Sequence, residues 1–249
     1  MDRKGLSQEG LKLIACVTML IDHLGATLIY AAYLSYRNAG DYAAANALVP
    51  VYRTMRIIGR IAFPIYCFLL VEGVHHTRNP EQYGLRLAVG AVLSELPFDL
   101  AFSGGIDWEN CNAMVTLLLG YGMILAMKRC SDWRKLLPIV PFFLLAEWLQ
   151  TDYAGNGIAI IAMLALTKDQ PQEKLLRTIG FACLLWFGSE ISVWGVKVHT
   201  ELFALVGWAF MLCYHGRKQS YSKTVQWAFY LFYPAHMLVL ALLQKWIFG

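Results

Sequence analysis

The sequence predicts an all-α fold: a polytopic integral membrane helical bundle of about nine transmembrane helices, with the N-terminus inside and the C-terminus outside. Three observations predict it. The chain is 58% hydrophobic and only 15% charged, whereas a soluble domain carries about 25% charge, and its mean hydropathy is +0.48. Apolar runs recur along it at lengths close to the roughly 20 residues that a crossing needs. Lysine and arginine collect in alternate connections between those runs, as they do in cytoplasmic loops. The whole of 1–249 reads as one such domain.

The runs fall near residues 11-33, 57-74, 85-102, 113-128, 136-150, 155-167, 175-192, 199-214 and 224-247. The first is too long for the apolar core of a signal peptide and is followed by many like it, so it reads as a retained span. The fifth and sixth fall short of a straight crossing, and Pro138 and Pro141 stand near the start of the fifth; a broken pair and two short protein-buried helices are equally open. Between Tyr33 and Arg56 the chain is polar and alanine-rich and reads as an outer loop with a short interfacial helix. With the N-terminus in the cytoplasm, Arg3, Lys4, Lys12, Arg78, Arg86, Lys128, Arg129, Arg134, Lys135, Lys168, Lys174, Arg177, Arg217, Lys218 and Lys223 all fall inside. Only Arg37, Arg53, Arg56, Arg60, Lys197 and Lys245 remain toward the outside. The net charge of +4 therefore points to membrane topology and not to nucleic acid. The six cysteines show no metal-ligand spacing and read as small hydrophobes within the spans, and no metal is expected.

Ionisable residues inside a span are functional candidates by default. Lys12 and His23 are eleven positions apart, about three turns plus 20°, so they share one helix face and stand roughly 16 Å apart along the axis. Together they can serve two ends of one extended ligand. Asp22 points about 100° from His23 and cannot orient that ring directly. Arg56 and Arg60, four apart, either snorkel to outer headgroups or hold an anion or acidic side chain between them. Pro64 is expected to kink the helix below them, and Glu72 lies near its inner end.

The following inner loop offers His76, Thr77, Arg78 and Arg86, a normal basic loop or a set of phosphate donors. Glu95 and Asp99 in the third span need a basic partner or a water-filled cavity, and Arg56 and Arg60 are the expected partners. Asn112 opens the fourth span, Asp152 precedes the sixth as a cap or outer-loop residue, and Tyr233 with His236 lies inside the last. A lone membrane histidine such as His236 serves either as a helix-to-helix hydrogen-bonding group or in chemistry. His75, His199 and His215 lie at span ends and read as interfacial.

Taken in order, Lys12 to Gly25, Arg56 to Pro64, Glu72-Gly73, Thr77-Arg78, Tyr83 to Leu87, Ser94 to Asp99, Asn112 to Thr116, Gly120, Asp152-Tyr153 and Tyr233 to His236 resemble the TraX family. Its namesake acetylates the N-terminus of conjugative pilin in the bacterial inner membrane. The first helix also resembles those of the acyltransferase-three and heparan glucosaminide acetyltransferase families; in the former an arginine, ten intervening residues and a histidine mark the first span, and Lys12 stands in the arginine's place here. The resemblance implies a multi-pass protein of the bacterial cytoplasmic membrane that moves an acetyl group from cytoplasmic acetyl-CoA to an acceptor, whether glycan, peptide N-terminus or small molecule. On that reading His23 is the general base with Asp22 beside it. Lys12, His76, Thr77, Arg78 and Arg86 hold the CoA phosphates, and Arg56, Arg60, Glu72, Glu95, Asp99, Asn112, Asp152, Tyr233 and His236 shape the acceptor side. Cys16, seven residues before His23 on the same face, leaves a covalent step open. The buried Asp22, His23, Glu95 and His236 equally suit a proton-coupled transporter, which is the alternative function.

Overall fold

The computed structural model describes residues 5–107, 109–170, 172–185, 190–193, 196–199, 203–214, 216 and 223–249. Arg3, Lys4, His215, Arg217 and Lys218 lie outside the described residues, as do the side chains of Cys183, Lys197, His199 and Lys223.

The first apolar run forms α1 (Gln8–Leu24), capped by Ser7, whose hydroxyl accepts from the Gly10 N–H at 3.1 Å. A π turn (Gly25–Ile29) leads without a break into α2 (Tyr30–Asn38). Here the structure corrects the expected outer loop. The chain reverses at Gly40, whose φ of +81° suits a residue without Cβ, and starts α3 (Tyr42–Gly59) with Asp41 accepting from the Ala44 N–H at 3.0 Å. The alanines that made this stretch look loop-like are the strongest helix formers, and a good cap sits ahead of them.

A tightened turn at Arg60 and Ile61, bonded back to Ile57 and Ile58, separates α3 from α4 (Ala62–His76). Pro64 does not kink a helix interior: it occupies the first turn of α4, where its missing N–H has no intrahelical partner to lose.

α5 (Pro80–Phe102) and α6 (Ala113–Lys128) follow as expected, then the short α7 (Ile139–Trp148) and α8 (Ala154–Leu166). α9 (Glu173–Leu185) ends before the predicted span does. The chain then forms an antiparallel hairpin, β1 (Glu190–Val193) with β2 (Val196–His199), in the register Glu190 opposite His199. Ile191, Val193, Val196 and Val198 alternate with Glu190, Ser192, Lys197 and His199, a period of two that favours strand over helix. α10 (Ala204–Leu212) and the long α11 (Lys223–Phe248) complete the bundle.

Among the described residues, three continuous helical stretches are long and apolar enough to cross a membrane: Gln8–Asn38, Tyr42–His76 and Trp227–Phe248. The dense core joins Leu11 and Ile65 of these stretches to Met123, Ile124, Ile158, Ile161 and Leu164 of α6 and α8, all fully buried. Outward-facing Leu13, Val92, Leu93, Val140 and Trp246 are exposed, as expected of surfaces that meet acyl chains and not water. The fold is therefore a helical membrane bundle with one small hairpin attached.

The ends of the bundle group the charges by side. The Leu6 N–H bonds to the Cys213 carbonyl at 2.9 Å, bringing the start of α1 to the end of α10. At that same end Glu72 pairs with Lys168 and with His76 at 3.4 Å. Lys128 donates to the Val74 carbonyl at 2.9 Å, and Arg177 caps α8 through the Leu164 carbonyl at 3.1 Å. At the opposite end a bridge between Cys111 and Thr151 ties the start of α6 to the loop before α8.

Candidate active site

A cavity of about 490 Å³ runs between the two ends of the bundle, walled by α1, α4, α5, α6 and α11. Its inner mouth carries Gln8, Lys12, His76, Thr77 and Arg86. The Lys12 ammonium stands 5.1 Å from the centre of the Phe229 ring, and the Arg86 guanidinium lies between Tyr83 and Tyr230 at 5.8 and 6.0 Å from theirs. These aromatic faces stabilise cations that are partly removed from water. Further in, the walls become Met19, Phe63, Tyr66, Leu69, Leu70, Met114 and Leu117. His23, Asp22, Asp152, Tyr153 and Tyr233 also line the cavity, beyond this apolar middle.

The buried His23 is held on several sides. The Phe102 and Tyr233 rings meet it edge-on at 5.9 and 5.8 Å, and its Nδ1 lies 2.7 Å from His236 Nε2. Just after it the helix widens into the π turn, a feature frequent at functional sites, and the Thr27 hydroxyl donates to the His23 carbonyl at 2.6 Å. His236 itself is fixed by its Nδ1, 2.7 Å from the Phe232 carbonyl one turn back on α11.

Asp22 turns to the other side, as its position on the helix requires. Its Oδ2 accepts from Arg56 Nη1 at 2.7 Å, across the contact between α1 and α3. Gly59 makes this possible, since a Cβ there would overlap the Asp22 carboxylate. Asp152 is surrounded by protein yet open to the cavity, and it lies within the electrostatic reach of Arg56 and Arg60. Tyr153 stacks on Phe63 with ring centres 3.4 Å apart, closing the wall beside it.

Several sequence expectations land elsewhere. Arg78 is exposed and lines a separate shallow cleft with Tyr121, Lys128 and Arg129, away from Lys12 and Arg86. Glu72 lines the cavity at the Lys12 end but is occupied by Lys168 and His76, so it ties the helix ends there together and does not stand near His23. Glu95 and Asp99 do not pair with Arg56 and Arg60. Asn112 donates to Glu95 through its side-chain amide, and at 2.9 Å to the Ala91 carbonyl, while its Oδ1 caps α6 by accepting from the Met114 N–H at 2.9 Å. Asp99 accepts from the Asp107 N–H at 3.1 Å. These residues tie α5 to α6 and to the connecting loop. In that loop, hydrogen bonds from the Glu109 N–H, Asn110 and Ser103 hold Asp107 below the ordinary carboxylate range.

Among the four residues of the transporter alternative, His23 and His236 bond to each other, Asp22 is paired with Arg56 and Glu95 with Asn112. Sequence reasoning missed the aromatic lining. Tyr66, whose hydroxyl lies 3.2 Å from Cys16 Sγ, Phe229 and Tyr230 read only as members of apolar runs, and Tyr83 only as part of the inner loop and of a family motif. A tyrosine well inside a span was the available signal, because its hydroxyl needs a polar neighbour there.

The chain is 28% identical over 251 residues to a protein named probable fimbrial assembly protein FimC, serogroup H1, from Dichelobacter nodosus, with 92% of each chain covered. No solved structure matches it. The family described as TraX protein matches residues 7–244, nearly the whole bundle and every residue of the cavity wall, and the chain belongs to that family.

Proposed function

We propose that this protein is an acetyltransferase of the bacterial cytoplasmic membrane that moves an acetyl group from cytoplasmic acetyl-CoA to an amine or hydroxyl presented in or across the bilayer. The observation that carries the reading is the cavity itself: it joins a cationic mouth, Lys12 and Arg86, to a buried imidazole, His23, through an apolar middle. That succession matches the donor's chemistry, with phosphates at one end, a slender pantetheine arm, and a thioester at the other. The nine apolar runs then act as passes with the N-terminus inside, several of them short, the sixth largely enclosed by protein and the fifth largely exposed.

In the reaction, His23 takes the proton from the acceptor N–H or O–H as that atom attacks the thioester carbonyl carbon. The C–S bond breaks, the CoA thiolate leaves, and the imidazolium returns the proton to sulfur. The products are acetylated acceptor and CoA, and the histidine is restored. Closure within protein and lipid keeps water from competing for the thioester.

Asp152, a carboxylate open to the cavity, favours a basic acceptor among the alternatives. The relative named for fimbrial assembly points the same way, toward the N-terminal amine of a membrane-lodged pilin-like peptide. The test is transfer of labelled acetyl from acetyl-CoA by the protein in nanodiscs, with a pilin-like peptide or with water as acceptor. His23→Ala is expected to lose about 10²-fold or more of the rate, the usual contribution of a positioned base. Undiminished turnover in that variant removes His23 from the chemistry.

A further inference from the structure

We propose that His236 is a positioning residue that fixes which nitrogen of His23 carries the proton, leaving Nε2 as the basic atom that faces the reactants. This rests on the acetyltransferase reading for its purpose, and on hydrogen bonding alone for its geometry.

The Phe232 carbonyl can only accept, so the His236 nitrogen 2.7 Å from it, Nδ1, is the one that bears hydrogen. A neutral imidazole has one N–H, and His236 Nε2 therefore holds a lone pair. Its neighbour at 2.7 Å is His23 Nδ1, which must donate to it. His23 in turn keeps its own lone pair on Nε2. The two rings lie 6° from parallel with centres 5.0 Å apart, the end-to-end arrangement of an N–H···N bond in the ring plane. Of the pair, His23 lines the cavity and His236 does not, so the nitrogen not engaged by His236 is the one left for substrate.

The arrangement is fixed by backbone at one end. The Phe232 carbonyl belongs to α11 and keeps a second lone pair for the ring N–H beside its helical bond. When His23 takes up the acceptor proton, its Nδ1–H bond to His236 becomes charge-assisted and stabilises the imidazolium as it forms. This is the service that a carboxylate performs for a catalytic histidine elsewhere, supplied here by a neutral group that adds no further charge to the bilayer interior.

Nitrogen-15 NMR of histidine-labelled protein in nanodiscs, with resonances assigned through His23→Gln and His236→Gln, reads the tautomers directly and needs no turnover. The proposal expects His23 protonated at Nδ1 and bare at Nε2. A His23 protonated at Nε2 in the wild type overturns it, whatever the protein catalyses. For function, His236→Leu deletes the acceptor, whereas His236→Gln can return a carbonyl oxygen near the lost lone pair. Leu is expected to lower kcat about 10²-fold with KM for acetyl-CoA unchanged, and Gln to recover most of it. Equal losses in Gln and Leu, or a loss carried by KM, mean that His236 serves only packing. Absence of acetyl transfer from every form, with the tautomers as expected, leaves the hydrogen-bond assignment standing and sinks the acetyltransferase reading instead.

Discussion

The Arg56 guanidinium reaches the Asp22 carboxylate at 2.7 Å over the backbone of Gly59, so the ion pair that joins α1 to α3 exists because one residue on α3 has no side chain. Gly59→Ala forces its methyl into the space of that carboxylate. Overpacking of this kind costs about 1–3 kcal/mol, and a lowered thermal midpoint in detergent is expected. Gly105→Ala, where a Cβ meets nothing within 4 Å, serves as the control. Equal midpoints for the two variants would mean that the Asp22 contact is not tight.

The inner mouth makes a sharper distinction among the basic residues. Lys12 and Arg86 line the cavity and Arg78 does not. Charged hydrogen bonds contribute about 1.5–3 kcal/mol each, and 1.4 kcal/mol is tenfold in affinity. Lys12→Gln and Arg86→Gln are therefore each expected to raise the acetyl-CoA Kd about tenfold or more, while Arg78→Gln leaves it within about twofold. Titration calorimetry at fixed salt measures all three, and a large effect at Arg78 alone would move the donor site out of the cavity.

On the proposed reading Asp152 acts on one substrate and not on the other. Asp152→Asn keeps the shape and removes the charge, so KM for an amine acceptor is expected to rise about tenfold while KM for acetyl-CoA stays put. Steady-state kinetics with each substrate varied in turn decides it. A change confined to acetyl-CoA would place Asp152 on the donor side.

Glu72 and Lys168 form a nearly enclosed pair, 7% and 14% exposed at their side chains. Removing one partner of a buried pair costs about 3–5 kcal/mol, whereas replacing both with apolar groups is often neutral. Glu72→Leu is expected to lower the melting midpoint markedly, and Glu72→Leu with Lys168→Met to restore most of it. Additive losses in the double variant would show that the two charges act independently.

Much of the bundle was legible because lipid imposes so few choices. Long apolar runs located α1, α4, α5, α6, α8 and α11, and the eleven-residue interval predicted one face for Lys12 and His23, both of which line the cavity. Where the reading failed, local chemistry outweighed average polarity. The alanines of 43–45 and the cap at Asp41 lengthened an expected short interfacial helix into α3, and the period of two at 190–199 put a strand where the seventh apparent span was expected to end. The acidic residues misled for another reason. Glu95 found Asn112 and Asp99 found a backbone N–H, because a buried carboxylate needs hydrogens and not necessarily a cation. The direct bond between His236 and His23 could not be read, since 213 residues separate them and only the packing of α11 against α1 joins the two rings.

The uninterrupted turn-by-turn winding of α1 from Gln8 to Leu24 has a consequence for the proposed chemistry. A straight helix is a ruler: between the ammonium of Lys12 and the ring of His23 it sets a span of roughly 16 Å that no loop motion can shorten. A truncated thioester with the same acetyl but no phosphate tail can touch one mark on that ruler and never both. Selection by reach, and not by recognition of the small group being moved, would then keep other activated acyl compounds of the cell from being spent at this membrane.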